Sequence, residues 1–89
     1  MTETEENLIE RNLGPQPLDS LMTEAGLDNH ALVSASSEPM THKAVQRARK
    51  GRRLTTHMQR RMATALNKAL TIHGTPPERE WTMKDLFTY

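Results

Sequence analysis

From residue 17 to residue 72 the apolar positions recur every three or four residues and never alternate long enough for a strand, so the pattern predicts helices. Pro17 suits a first helical position, where its missing N–H is no loss. Leu18, Leu21, Met22 and Ala25 share one stripe, which predicts a helix over 17–25. Gly26 is a left-handed terminator, and Leu27 can fold back onto the helix end. Asp28 is an N-cap for a second helix over 29–36, with Leu32, Ala31 and Ala35 on its apolar face and Val33 beside it. Ser36-Ser37-Glu38-Pro39 breaks the chain, because a proline disfavours helix at the residue before it. Thr41 caps a third helix over 42–50, closed by Gly51, whose apolar positions are Ala44, Val45 and Ala48. Thr55 or Thr56 opens a fourth over about 56–72, with a stripe of Met58, Met62, Ala65, Leu66, Ala69 and Ile72. Gly74-Thr75-Pro76-Pro77 stops it.

The two ends read differently. Residues 1–14 show no sustained pattern beyond Leu8, Ile9 and Leu13, which predicts an acidic flexible tail. Residues 78–89 hold all three aromatics, Trp81, Phe87 and Tyr89, together with Met83 and Leu86. Chains do not concentrate aromatics without burying them. Trp81, Leu86, Phe87 and Tyr89 are therefore expected to dock, on their own core or on a second copy in a homodimer, with the second arrangement favoured. The expected organisation is a tail (1–14), a helical domain (15–73) and a docking or dimerisation arm (74–89). The fold class is all-α, a bundle of four to five helices.

A chain of 89 residues makes one small domain, too small for a large catalytic cleft. It has no cysteine, which excludes disulfides and thiolate chemistry. No apolar run approaches membrane-spanning length, and the acidic start MTETEENLIE resembles no targeting peptide. The mean hydropathy of −0.74 implies that part of the chain stays outside the core. The expected location is the cytoplasm, on the nucleoid when bound.

Charge changes the picture most. Residues 1–38 carry eight acids and one base, whereas residues 39–77 carry nine bases and no acid. Such a block needs an anionic partner or acidic neighbours within the fold. Glu3, Glu5, Glu6 and Glu10 of the tail are expected as a transient cover for it.

A short helix, a break and a second, basic helix, braced by a helix on either side, form the helix-turn-helix pattern, in which the second helix enters the major groove. Residues 18–66 resemble the lambda-repressor-like (Cro/Xre-type) family of DNA-binding domains. Gly26-Leu27, Leu32, Thr41, Val45, Ala48, Gly51 and Ala65-Leu66 carry the resemblance, with Thr41, Val45, Ala48 and Gly51 on the family's recognition-helix spacing. The link from Ser36 to Met40 is about two residues longer than the family's usual turn and lacks its glycine. The resemblance implies a transcriptional regulator that binds double-stranded DNA without a cofactor.

Side chains near the start of a recognition helix reach base edges, which assigns base reading to His42, Lys43, Gln46 and Arg47. Arg49, Lys50, Arg52, Arg53, Arg60 and Arg61 follow and are assigned to phosphates, with Asn29 at the start of the second helix. The histidines His30, His42, His57 and His73 are never paired at i, i+4, so no metal site is expected. Neither a nucleophile elbow nor a phosphate loop occurs, so an enzyme is not expected. Met22, Met40, Met58, Met62 and Met83 read as core filler. Two other readings compete: a helical protein-interaction module, adaptor-like or antitoxin-like, and an RNA or nonspecific nucleic-acid binder.

Overall fold

A computed structural model describes residues 13–89. The acidic tail with its glutamates and the Leu8–Ile9 turn lie outside the described residues. The fold is all-helical: α1 (Pro17–Ala25), α2 (Asn29–Ala35), α3 (His42–Lys50), α4 (Thr56–His73) and a single turn, α5 (Met83–Leu86). Among the described residues there is no strand, and no helix is long and apolar enough to cross a membrane.

The local signals act as their chemistry dictates. Asp28 Oδ1 accepts from the Ala31 N–H at 2.9 Å, Thr41 Oγ1 from Ala44 at 3.0 Å, and Thr55 Oγ1 from Met58 at 3.2 Å. Each supplies an acceptor for an N–H that a helix start leaves unpaired. Gly26 turns left-handed at φ 72° and Leu27 folds back, buried, with its N–H on the Met22 carbonyl at 2.8 Å.

α2 packs on both α3 and α4, and α1 packs on α3. Leu18 and Met22 of α1, Leu32 and Ala35 of α2, Val45 and Ala48 of α3, and Met62, Leu66 and Ala69 of α4 form one buried cluster. Leu21 and Met58, expected inside, are only half-buried. Ile72 departs furthest, at 70% exposed. It sits beside the buried sector in the last turn of α4, where Leu70 faces the core instead.

The aromatic arm packs on its own chain. Leu86 and Phe87 are buried in the common core, and Trp81 and Tyr89 are half-buried at its edge. In this single chain the arm lies on its own bundle, where it adds apolar area to a small core. Asn67 of α4 holds the arm at two points: its Nδ2 donates to the Trp81 carbonyl at 2.9 Å and its Oδ1 accepts from the Trp81 N–H at 2.8 Å. Gln16, only 2% exposed, holds the far end; its Oε1 accepts from the Thr88 N–H at 2.7 Å and the Thr88 hydroxyl at 3.0 Å.

Candidate nucleic-acid interface

The geometry of α3 follows from two small apolar anchors. Val45 and Ala48 are fully buried and fix which way the helix faces. At 100° per residue, His42, Lys43, Gln46, Arg47 and Lys50 then fall within a sector of about 140° on the opposite side. All five are exposed. The four proposed base-reading residues thus share one face, together with Lys50.

The C-terminal end of α3 is caged. Gly51 is left-handed at φ 98°, and a Cβ there would run into the Gly14 backbone. The Leu13 N–H donates to the Gly51 carbonyl at 2.9 Å and the Gln16 N–H to the Arg49 carbonyl at 3.2 Å. The segment before α1 therefore braces the exit of α3 and sets the direction in which the basic loop 52–55 leaves.

Three of the residues assigned to phosphate, Arg49, Asn29 and Arg61, make contacts within the fold. Arg49 Nε donates to Asp19 Oδ1 at 2.6 Å, a second guanidinium nitrogen to Asn29 Oδ1 at 2.8 Å, and the third to the Thr23 hydroxyl at 3.4 Å. This one side chain joins α1, α2 and α3 and occupies Asn29 as well. Arg61 on α4 reaches the α2–α3 link, where it donates to the Pro39 carbonyl and lies 3.0 Å from Glu38 Oε2. That last approach is a charge contact without hydrogen-bond alignment. The link is further closed by the Ser36 hydroxyl on the Glu38 carbonyl at 2.6 Å. Arg61 thus secures the link between α2 and α3. Among the described residues, Lys50, Arg52, Arg53 and Arg60 form no ion pair. Arg60 lines a shallow cleft of about 280 Å³ with His57, Ser37 and Thr64.

One pairing had no signature in the chain. His30 of α2 and His42 of α3, twelve residues apart, bring Nδ1 and Nε2 to 3.3 Å, and the Ser34 hydroxyl meets His30 Nε2 at 3.1 Å. The rings are parallel within 9°, with centroids 5.4 Å apart. Centroids that far apart with nitrogens that close mean the rings meet edge to edge rather than face to face. The contact is a hydrogen bond between imidazoles, and it occupies one of the two ring nitrogens of His42. No three potential metal-ligating side chains of His, Asp or Glu converge among the described residues.

Comparison with protein-family models, with curated proteins and with solved structures finds no match to this chain.

Proposed function

We propose that this chain is a DNA-binding protein of the lambda-repressor-like helix-turn-helix type, a transcriptional regulator that lays α3 in the major groove. The observation that supports it best is the exposed face of α3, which carries three bases, a histidine and a glutamine and no acid, on a helix whose other side is buried. Two short helices packed on each other, with α1 against the second and α4 against the first, match the arrangement that such a reading requires.

In this reading Lys43 and Arg47 donate to guanine and Gln46 pairs with adenine. His42 makes a narrower contribution, through the nitrogen that His30 leaves open. Lys50, Arg52, Arg53 and Arg60 take the phosphates, which position the protein without specifying sequence. A second copy on an adjoining half-site would double these contacts; the arm, spent on its own core, would leave other surfaces to join the copies.

Selection of duplexes from a random library, followed by binding of variants to the selected site, tests the assignment. Lys43→Ala or Gln46→Ala relaxes preference at a single base position, by about 1–3 kcal/mol. Arg53→Ala weakens all sequences alike. If both kinds of variant behave the same way, α3 is not a reading helix. If single-stranded RNA competes better than duplex, the partner is RNA.

A further inference from the structure

We infer that Tyr89 is a positioning residue for the phosphate-binding loop between α3 and α4, so that the aromatic arm serves the DNA interface. The inference rests on the reading of that surface given above, and it concerns a residue far from the recognition helix in sequence.

The loop's backbone is fastened from both sides. The Tyr89 hydroxyl donates to the Arg52 carbonyl at 3.1 Å and accepts from the Leu54 N–H at 3.0 Å. The Arg52 N–H is held by the Arg47 carbonyl at 3.0 Å. The Leu54 carbonyl accepts from the Gln59 side chain at 2.9 Å. Arg53 therefore stands between two peptides whose groups are bonded on either side, with its own side chain exposed. A loop fixed in this way presents its guanidinium at a set place before any ligand arrives, which lowers the ordering cost of binding.

The phenol is itself firmly placed. Thr88, its neighbour, is fixed by buried Gln16, and the Phe87 ring lies 5.6 Å from the Tyr89 ring. Burial pushes the phenol above its ordinary value of 10.0, so it keeps the proton it donates at neutral pH. The two loop contacts span 35 and 37 residues of chain. A single oxygen thus couples the chain's last residue to the loop that bears Arg52 and Arg53.

Tyr89→Phe in the full chain removes the oxygen and keeps the ring. Three readouts apply: thermal unfolding, amide exchange at Leu54, and duplex affinity by fluorescence anisotropy over a salt series. The expected result is a cooperatively folded variant whose Leu54 amide exchanges at least about tenfold faster. Duplex affinity falls roughly three- to tenfold for all sequences, with a salt slope shallower by about one. Arg53→Ala then costs less in the Tyr89→Phe background than in the wild type, since the loop has already lost its fixed geometry. A variant with a freed Leu54 amide but wild-type affinity and slope overturns the inference alone. So does a weaker binder whose Leu54 amide is unchanged. A wild-type chain that binds no duplex overturns the reading of the surface, and the inference falls with it.

Discussion

Arg49 and Asp19, thirty residues apart, meet at 2.6 Å and clamp α3 to α1. An arginine within a run of bases reads as a surface cation, yet this one ties its helix to α1 and α2. Both partners are partly exposed, at 22% and 38% of their side chains, so screening reduces what the pair contributes. Arg49→Ala is expected to cost about 1–2 kcal/mol in denaturant unfolding, since Asn29 and Thr23 lose a donor as well. Lys50→Ala, one residue on and exposed, leaves stability unchanged. Equal stability of the two variants would refute the clamp.

Gly51 and Gly26 are both left-handed, but only Gly51 lies against another backbone. Gly26→Ala should cost about 1 kcal/mol, the ordinary penalty of a left-handed residue with a Cβ. Gly51→Ala adds the clash with Gly14 and should cost about 2–4 kcal/mol, which a comparison of the two melting curves reads directly.

The arm's place inside its own chain sets a further expectation. Leu86 is fully buried. Leu86→Ala should destabilise by about 3 kcal/mol, and the sedimenting mass should not change. A fall in mass with intact stability would return the arm to the role of an intermolecular contact.

Acid should loosen the same arm. The backbone N–H of Thr82, at 2.8 Å from Asp85 Oδ2, holds that carboxyl below its ordinary 3.8; the Thr82 hydroxyl and the charge of Arg79 add to the effect. Because the folded value is depressed, the stabilisation is fully present above the ordinary value and is lost as pH falls through the folded one. Trp81, the only tryptophan, reports this by fluorescence. Asp85→Ala should remove that acid-side step.

The helix boundaries were legible because their causes are local. Asp28, Thr41, Thr55 and Gly26 each act on backbone within a few residues, and the observed helices begin at the predicted positions 17, 29, 42 and 56. Val45 and Ala48 likewise announced the buried edge of α3. What stayed hidden was tertiary. Nothing in the spacing of Arg49 or Arg61 distinguishes an internal tether from a free cation; their acceptors are brought close only by the fold. His30 and His42 pair because α2 and α3 pack, not because of any spacing along one helix. Gln16, polar and beside two prolines, gave no sign that it would be buried and would hold Thr88. Ile72 kept the helical period but fell just outside the buried sector of α4, in a turn where Ala69 and Leu70 face the core.

The salt dependence of duplex binding bears most directly on the proposal that the basic face meets DNA. Lys50, Arg52, Arg53 and Arg60, the phosphate set that remains after Arg49 and Arg61 are assigned to the fold, would neutralise about four phosphates, for a log K against log salt slope of about −3.5. Fluorescence anisotropy of the full chain with a labelled duplex, from low to moderate salt, measures that slope. A slope near this value, shallower after Arg53→Ala, is the predicted result; a slope near zero, or no duplex binding at low salt, contradicts it.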